Sequence, residues 1–225
     1  MNNIEQHTIN GTKVLCRPAT NTDQSAVSMV ILHGYGADEY DLMGLAPYFD
    51  EKIQVISIRG PGSTVYGGAS WFDIDMLADG SLKFNIEQAK QSTELVLGLI
   101  EQMQTDGMIQ AEQIILGGFS QGATVSNLIT LRKPELIKAL LIMSGRLPDQ
   151  VAELIESPAQ FAALPIFAGH GINDNVIPIE FGRQIVTFWN KLAILEHHEY
   201  PMGHEISQAE LQHIQVWLDS VTQTD

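Results

Sequence analysis

The sequence predicts an α/β fold in which helices cover both faces of a largely parallel, twisted sheet of about seven strands. Short apolar segments of strand length alternate along the chain with longer segments that have helical spacing. Most of the short segments are continuously apolar, as strands buried on both faces should be. No internal repeat or linker is visible, so a chain of 225 residues is expected to form one domain over residues 1–225.

Seven segments are candidate strands because they combine strand length with apolar or β-branched side chains. In chain order they are Lys13–Arg17, Ser28–His33, Ile53–Ile58, Ile114–Phe119, Ala139–Ser144, Pro165–His170 and Leu195–Tyr200. Helix-like segments separate several of them, and each parallel connection needs such a crossover. We therefore expect mainly parallel pairing.

Three helices are predicted from apolar residues at three- and four-residue intervals. The first extends from Ile86 to Met103 and the second from Phe181 to Leu192. The last carries apolar residues from Leu211 to Val221 and begins with Ser207-Gln208-Ala209-Glu210, which has the pattern of a capping box. A further helix-compatible stretch starts near Gln121. We expect the apolar stripes to face the core.

The segment Gly118-Phe119-Ser120-Gln121-Gly122 carries the most functional information. It joins a predicted strand to a helix-compatible stretch, which is the setting of a nucleophile elbow. Glycine is expected on both sides because larger side chains would collide with the neighbouring strand or helix. The elbow exposes the serine hydroxyl beside a helix N-terminus. Ser120 is therefore the candidate nucleophile, and the alternative is an incidental serine in a glycine-rich turn.

A serine nucleophile needs a base and a group that orients the base. With this elbow, the acid and the histidine follow on loops after later strands. Asp174 is the one acid in the loop 171–178 after the sixth predicted strand, and His204 is the one histidine in the loop 201–205 after the seventh. The predicted triad is Ser120, Asp174 and His204. The alternative for Asp174 is a turn-forming role, which is common for this residue type.

Two backbone N–H groups should stabilise the negatively charged oxygen of a tetrahedral intermediate. One is the N–H of Gln121, which follows the nucleophile. The other is the N–H of Tyr35, because the loop His33-Gly34-Tyr35-Gly36 follows the second predicted strand. His33 and Asp38 are expected to hold this loop without transferring protons.

The charge balance excludes several classes of partner. Twelve basic and 27 acidic side chains give a net charge of −15, which disfavours nucleic acid and anionic membrane surfaces. No apolar run is long enough to cross a bilayer, and the N-terminus shows no secretory leader, so no stable membrane insertion is expected. The one cysteine, Cys16, suits a reducing cytoplasm, where we expect the protein to be located. The oligomeric state stays open, a homodimer included.

The sequence predicts neither a metal nor an organic cofactor. His197 and His198 would point to opposite faces of a strand, so they form no metal site together. A dinucleotide-binding protein is the alternative suggested by the α/β pattern. Its glycine fingerprint is missing, since the loop after the second predicted strand reads Gly34-Tyr35-Gly36-Ala37-Asp38-Glu39.

On these motifs the chain resembles the carboxylesterase/phospholipase family of α/β-hydrolases, which includes the acyl-protein thioesterases. The matching segments are Leu32–Asp38, Ser70–Ile74, Gly117–Gly122, Leu141–Gly145, His170–Asp174 and Gly203-His204. The resemblance implies a compact α/β-hydrolase with a seven-stranded sheet, hydrolysis of carboxylic esters or thioesters, and the triad and N–H donors named above. The chain departs from the thioesterases at Tyr35, where they often have leucine, and over Arg59–Ser63. A general esterase is therefore favoured over a depalmitoylating enzyme.

The substrate site is expected to be open, because the roughly 20 residues between Ser144 and Pro165 leave no room for a large cap domain. Trp71, Phe72 and Leu147 are the candidates for contact with an acyl chain, although a packing role is the alternative for Trp71. The acidity of the chain favours soluble small-molecule esters or thioesters over phospholipids.

The predicted function is that of a serine hydrolase that cleaves carboxylic esters with small to medium acyl chains through an acyl-enzyme on Ser120. Acyl-protein thioesterase or lysophospholipase activity is the first alternative. A non-catalytic binding module on a hydrolase scaffold is the second, since a fold does not guarantee activity.

Overall fold

A computed structural model describes residues 4–223 apart from 21–26, 66, 77–81, 111, 149–150, 152–154 and 156. The strands are β1 (Glu5–Ile9), β2 (Thr12–Arg17), β3 (Val27–Leu32), β4 (Ile53–Ile58), β5 (Gly62–Ser63), β6 (Ala69–Ser70), β7 (Ile74–Met76), β8 (Leu82–Phe84), β9 (Ile114–Phe119), β10 (Ile137–Met143), β11 (Pro165–Gly171) and β12 (Ile194–Tyr200). The α-helices are α1 (Glu39–Met43), α2 (Ile86–Thr105), α3 (Gln121–Arg132), α4 (Ile179–Trp189) and α5 (Gln208–Thr222). Within these described ranges, 3-10 helices cover Ala46–Tyr48, Pro134–Leu136 and Pro158–Phe161.

The main sheet has eight strands in the spatial order β1-β2-β4-β3-β9-β10-β11-β12. From β4 to β12 every neighbouring pair is parallel, whereas β1, β2 and β4 pair antiparallel at one edge. The strands β3, β9 and β10 lie at the centre. Their carboxyl ends therefore meet in the middle of one sheet edge, where ligands bind in open α/β sheets. The α/β class and the largely parallel sheet are confirmed.

The eighth strand, β1, is absent from the predicted set of about seven. Its sequence is Glu-Gln-His-Thr-Ile, and none of its residues is fully buried. It pairs with β2 through the turn at Asn10-Gly11, whose φ values of 49° and 84° suit a tight hairpin. An edge strand needs no apolar face, so hydrophobic periodicity alone does not reveal it.

Helices cover both faces of the sheet. On one face α2, α3 and α4 pack around a core that includes Val96, Ile129 and Trp189. On the other face α1 and α5 pack around a smaller core that includes Met43 and Trp217. Burial of apolar surface on both faces accounts for the continuously apolar strands.

Helix α3 is the most enclosed helix in the described part of the chain, since every residue from Gln121 to Leu131 is buried. It packs on β9 and β10 and under α2. The first residue of α3 directly follows Ser120. The serine at the end of β9 is therefore attached to a helix that is buried along nearly its whole length.

Helix α5 begins with half of the predicted capping box. The Ser207 side chain accepts a hydrogen bond from the Glu210 N–H at 3.2 Å. The Glu210 carboxyl is fully buried against Gly169, and neither of its oxygens accepts a hydrogen bond of normal geometry from the described residues. Loss of hydration raises the pKa of Glu210 from 4.5 to about 8, and the Ser207 backbone opposes this only in part.

Glu210→Gln should make the protein less sensitive to alkaline pH. In the wild type, the unfolded chain ionises Glu210 above pH 4.5 while the folded chain keeps it neutral to about pH 8. Stability therefore falls as pH rises between these values, by an amount on the order of a few kcal/mol. Urea unfolding at pH 4.5 and pH 8.5 measures this. The free energy of unfolding of Glu210→Gln, relative to that of the wild type, should be higher at pH 8.5 than at pH 4.5. Glu101→Gln, at an exposed position on α2, should be as stable as the wild type at both pH values. Equal pH slopes for the wild type and Glu210→Gln would contradict the assignment.

Candidate active site

Ser120 lies in a sharp turn between β9 and α3. Its φ of 55° and ψ of −115° are unusual for a residue other than glycine. The Ser120 N–H donates to the Met143 carbonyl at 3.0 Å, which ties the turn to the end of β10. Surrounding structure must hold such a conformation, because it is intrinsically unfavourable. The sequence pattern of an elbow is thus matched by the backbone geometry of an elbow.

The two flanking glycines are required by close backbone contacts. A methyl group on Gly118 would meet the Gly122 backbone, and one on Gly122 would meet the Leu32 carbonyl at the end of β3. The backbone of α3 is therefore packed directly on the strand that leads to the Gly34-Tyr35 loop. This contact brings the nucleophile turn and that loop to the same place.

Gly122→Ala should disrupt this packing. The added methyl group would lie 2.7 Å from the His33 carbonyl oxygen as well as against Leu32, so α3 must move away from β3. We expect a loss of at least about 2 kcal/mol of stability, as for overpacked cores, together with a large loss of activity. Gly98→Ala on α2 is the matched control, because a methyl group there meets nothing within 4 Å. That control should be neutral or stabilising by about 1 kcal/mol. Thermal unfolding of both variants measures this difference in stability. A Gly122→Ala protein as stable and as active as the wild type would contradict the close packing of α3 on β3.

Ser120, His204 and Asp174 form one hydrogen-bonded chain. The Ser120 Oγ lies 2.9 Å from His204 Nε2, and His204 Nδ1 lies 2.7 Å from Asp174 Oδ2. With the proton on Nδ1, the ring donates to the carboxylate and accepts from the serine hydroxyl. These are the contacts that a serine–histidine–carboxylate triad requires. Ser120 and Asp174 are 54 positions apart in sequence (174 − 120), and Asp174 and His204 are 30 apart (204 − 174). The three residues meet because each follows the end of a parallel strand, β9, β11 or β12.

The Asp174 carboxylate is oriented by its own loop. Its second oxygen, Oδ1, accepts the N–H groups of Val176 and Ile177, each at 2.8 Å. The His170 ring lies behind it, with Nε2 at 3.6 Å from Asp174 Oδ2 and 2.7 Å from the Ile177 carbonyl. Asp174 thus both forms the turn and faces His204, so the two interpretations of this residue are compatible.

Tyr35 and Gln121, whose N–H groups are the predicted donors, line the same cavity as Ser120. Neither the Tyr35 N–H nor the Gln121 N–H has an acceptor among the described residues. The loop that carries Tyr35 is fixed by hydrogen bonds from the Gly36 N–H to the Ala69 carbonyl at 2.8 Å and from the Ala69 N–H to the Ala37 carbonyl at 2.6 Å. Both donors are therefore available to an oxygen atom near Ser120.

His33 holds the base of this loop from inside. Its Nε2 accepts the Gly60 N–H at 2.9 Å, and its Nδ1 lies 2.7 Å from the Gly34 carbonyl. Burial lowers the pKa of His33, so the imidazole stays neutral and can accept and donate at once. On the outside, Arg59 joins the buried Glu39 at 2.6 Å and Asp38 at 3.5 Å. The loop is thereby anchored at both ends.

The hydroxyl of Ser120 opens onto a cavity of about 330 Å³. The lining residues are Gly34, Tyr35, Ala37, Asp41, Phe72, Ile74, Phe84, Phe119, Ser120, Gln121, Thr124, Arg146, Val176, Ile177 and His204. Of the three predicted substrate contacts, Phe72 is in this wall. The cavity is mostly apolar, with charged groups at Asp41 and Arg146.

Trp71 and Leu147 do not line this cavity, so a substrate contact by either residue stays a prediction without support from this wall. Trp71 is 1% exposed, and its ring N–H donates to the His33 carbonyl at 2.8 Å. Its backbone N–H donates to the Gln121 side chain, which in turn donates to the Phe72 carbonyl. Trp71 therefore packs behind the loops, as its alternative interpretation stated. Leu147 points into the core, and its neighbour Arg146 takes the place in the wall.

Several wall residues were not found from the sequence. Ile74 and Phe84 come from β7 and β8, a small antiparallel pair that lies outside the main sheet. Each of these strands has only three residues, which is too short to show the alternation of apolar and polar side chains that predicts a strand. Pro61, Gly62, Ser70 and Trp71 line a second cavity, of about 370 Å³, beside α2.

The described ranges contain neither a cluster of metal-binding side chains nor a membrane-spanning helix. No group of three or more His, Cys, Asp or Glu residues among them is arranged to hold a metal ion. None of the helices there is long and apolar enough to cross a bilayer.

Comparison with known proteins places these features in a family. The phospholipase/carboxylesterase family model matches residues 18–222. Acyl-protein thioesterase 1 of Debaryomyces hansenii is 32% identical over 77% of this chain and 75% of its own length, and that of Kluyveromyces lactis is 28% identical over 87% and 92%. Among solved structures, the Bacillus cereus carboxylesterase has a TM-score of 0.81 at 21% identity, covering 94% of this chain and 95% of its own.

The Zea mays acyl-protein thioesterase 2 has a TM-score of 0.78 at 19% identity, with 93% of this chain and 99% of its own covered. At these identities the solved structures support the fold alone. The family model and the sequence relatives go further and confirm the resemblance seen in the motifs. The chain belongs to the phospholipase/carboxylesterase family of ester hydrolases.

Proposed function

We propose that the protein hydrolyses carboxylic esters with small to medium acyl chains through an acyl-enzyme on Ser120. The observation that carries this proposal is the hydrogen-bonded chain from Ser120 through His204 to Asp174 at the wall of an open cavity. A serine hydroxyl is a weak nucleophile unless a neighbouring base accepts its proton. His204 Nε2 is within hydrogen-bond distance for that transfer.

In the first half-reaction, Ser120 Oγ attacks the substrate carbonyl carbon while its proton moves to His204 Nε2. The carbonyl oxygen becomes negatively charged, and the N–H groups of Tyr35 and Gln121 stabilise it. The carbon–oxygen bond to the leaving group then breaks, and His204 returns the proton to the departing alcohol. Asp174 stabilises the imidazolium and keeps the ring in the required orientation.

In the second half-reaction, water replaces the alcohol. Its proton moves to His204 as its oxygen attacks the acyl-enzyme carbonyl, and collapse of the intermediate releases the acid and regenerates the Ser120 hydroxyl. No group beyond the chain and water is needed to balance these steps.

Thioester hydrolysis is the second candidate, since the yeast relatives are named acyl-protein thioesterases. The two activities use the same residues and differ in the leaving atom. A profile of kcat/KM for oxygen esters and matched thioesters with acyl chains of two to twelve carbons tests the proposal. We expect the highest values for oxygen esters of short and medium chains. A preference for long-chain thioesters would instead assign the second candidate, and no hydrolysis of any substrate would refute both.

We further place the protein in the cytoplasm. Its one cysteine, Cys16, is a buried thiol on β2, and burial raises its pKa to about 11. Such a thiol is inert and suits a reducing compartment. Sedimentation analysis decides between a monomer and the homodimer that the sequence leaves open.

A further inference from the structure

The His170 side chain lies behind the carboxylate of Asp174 and has no role in the acyl-transfer steps described above. It is the second-last residue of β11 and is 4% exposed. The backbone of α4 packs directly on its ring, since a methyl group on Gly182 would lie 2.6 Å from His170 Nδ1. A ring enclosed so closely keeps one orientation, so its N–H group points in a fixed direction.

The fixed N–H group of this ring is on Nε2. That atom lies 2.7 Å from the Ile177 carbonyl oxygen, which can only accept, so Nε2 carries a proton and donates it. The same atom is 3.6 Å from Asp174 Oδ2. This is too long for a hydrogen bond, but the positively polarised edge of the ring is close enough to favour the charge of the carboxylate.

The loop that carries Asp174 is anchored differently in its two halves. Before Asp174, the N–H groups of residues 172–173 donate to backbone carbonyls at and just after the end of β12, at 2.8 and 3.0 Å. After Asp174, the hydrogen bonds of the described residues join 175–177 to one side chain outside the loop, that of His170, which bonds the Ile177 carbonyl. The second half of the loop therefore depends on His170 for its position.

This second half of the loop orients the carboxylate. The N–H groups of Val176 and Ile177 hold Asp174 Oδ1 at 2.8 Å each. The other oxygen, Oδ2, then faces His204 Nδ1 at 2.7 Å. Resting on the proposed function, we propose that His170 is a positioning residue whose Nε2–H fixes Ile177 and so keeps the Asp174 carboxylate turned toward the catalytic histidine. Without this N–H the carboxylate loses its fixed rotation and stabilises the imidazolium less.

Two substitutions of His170 separate its N–H group from the bulk of its ring. His170→Gln retains an N–H donor at about the distance from the backbone of the imidazole Nε2, whereas His170→Leu has no donor. Both lack the titration of the ring, so a difference between them reports the hydrogen bond.

Two substitutions on α4 complete the set. Gly182→Ala pushes on the His170 ring without replacing it, and alanine suits a helix, so α4 should be retained. Ile185→Val is the control for a modest loss of packing, because Ile185 is buried on the same helix and does not line the cavity at Ser120.

With 4-nitrophenyl butanoate as the substrate, His170→Leu should lower kcat by about 10- to 100-fold, the cost of a small misplacement in a catalytic constellation. KM should change less than kcat, and His170→Gln should recover most of the rate. Gly182→Ala should lower kcat in the same direction, while Ile185→Val should match the wild type. The acid limb of kcat/KM should lie about half a pH unit lower in His170→Leu than in His170→Gln, because a misdirected carboxylate raises the pKa of His204 less.

Proton NMR gives a reading that does not depend on turnover. The His204 Nδ1–H that donates to Asp174 Oδ2 should give a resonance far downfield of the amide region in the wild type and in His170→Gln. That resonance should be weakened or missing in His170→Leu and shifted in Gly182→Ala. Ile185→Val should leave it unchanged.

Equal rates and equal acid limbs in His170→Leu and His170→Gln would overturn the proposal. A loss of rate in His170→Leu that glutamine does not recover would overturn it as well, because the ring would then act by packing. If His170→Leu does not fold, Gly182→Ala decides: a wild-type rate and an unshifted resonance would refute the role of His170. A folded wild type that hydrolyses no ester would contradict the proposed function instead, and the NMR comparison would still test the positioning of Asp174.

Discussion

Replacing Ser120 with alanine should lower kcat for 4-nitrophenyl butanoate by about 10⁵- to 10⁶-fold, the loss that removal of a triad serine causes. Among the described residues, the Ser120 hydroxyl is the hydrogen-bond partner of His204 Nε2, at 2.9 Å, and without it no acyl-enzyme forms. The N–H groups of Tyr35 and Gln121 stay in place. A small residual rate above that of water should therefore persist.

The matched control for this experiment is Ser126→Ala. Ser126 is buried on the same helix, α3, and its hydroxyl has no hydrogen-bond partner among the described residues. Its replacement should leave kcat and KM near the wild-type values. Circular dichroism and thermal unfolding should show that both variants fold. Hydrolysis by folded Ser120→Ala within about tenfold of the wild type would mean that another residue attacks the substrate.

Asp174→Asn should lower kcat by about 10⁴-fold, the loss that the wrong histidine tautomer causes in serine proteases. In the wild type, Asp174 Oδ1 accepts two N–H groups, from Val176 and Ile177. An asparagine must place its side-chain carbonyl oxygen there, because its NH2 group is a donor and cannot accept those two hydrogen bonds. The amide N–H then faces His204 Nδ1, which must become the acceptor. The ring proton moves to Nε2, where it blocks transfer from Ser120.

This substitution should disturb the orientation of the His204 ring without lowering the stability of the protein. The fold should be retained, since asparagine preserves the size of the side chain and the two hydrogen bonds of the loop. KM should change less than kcat, because Asp174 does not line the cavity in the described structure. Asp106→Asn, at the exposed end of α2, is the control and should be silent. A full-rate Asp174→Asn enzyme would exclude Asp174 as the orienting group.

The order of elements and the three triad positions could be predicted because each leaves a local signal. The strands β9 and β11 are short, mostly apolar runs and β12 is a mostly polar edge strand, and each is followed by a turn or loop that holds one chemically suitable residue. Topology then does the rest, because parallel strands place their following loops at the same sheet edge. Ser120, Asp174 and His204 could thus be placed together without any knowledge of long-range contacts.

Other features depend on contacts that no local pattern encodes. Trp71 and Phe72 are adjacent aromatic residues, yet one packs behind the loops and the other lines the cavity. Arg146 and Leu147 show the same alternation, since Arg146 lines the cavity and Leu147 lies in the core. Glu210 occupies a capping-box position, but its carboxyl is buried against Gly169 on β11. In each case the packing of distant elements decides which way a side chain points.

The bounds of strand β10 also could not be predicted from residue type alone. The strand β10 starts at Ile137, two residues before the predicted strand, and its pairing with β9 shifts register between Ile137 and Ala139. It ends at Met143, since Ser144 has a φ of 47° and leaves the extended conformation. Such boundaries follow from pairing and backbone geometry more than from residue type.

Fluorophosphonate labelling followed by peptide mass mapping is the most direct test of the activated serine. The reagent phosphonylates a serine, with loss of fluoride, only where a neighbouring base and oxyanion donors make the serine reactive. The wild type should carry one adduct, on Ser120, and Ser126→Ala should be labelled equally. Asp174→Asn should be labelled far more slowly, and Ser120→Ala not at all. An adduct on a different residue, or an unlabelled folded wild type, would contradict the assignment of Ser120, His204 and Asp174 as a working triad.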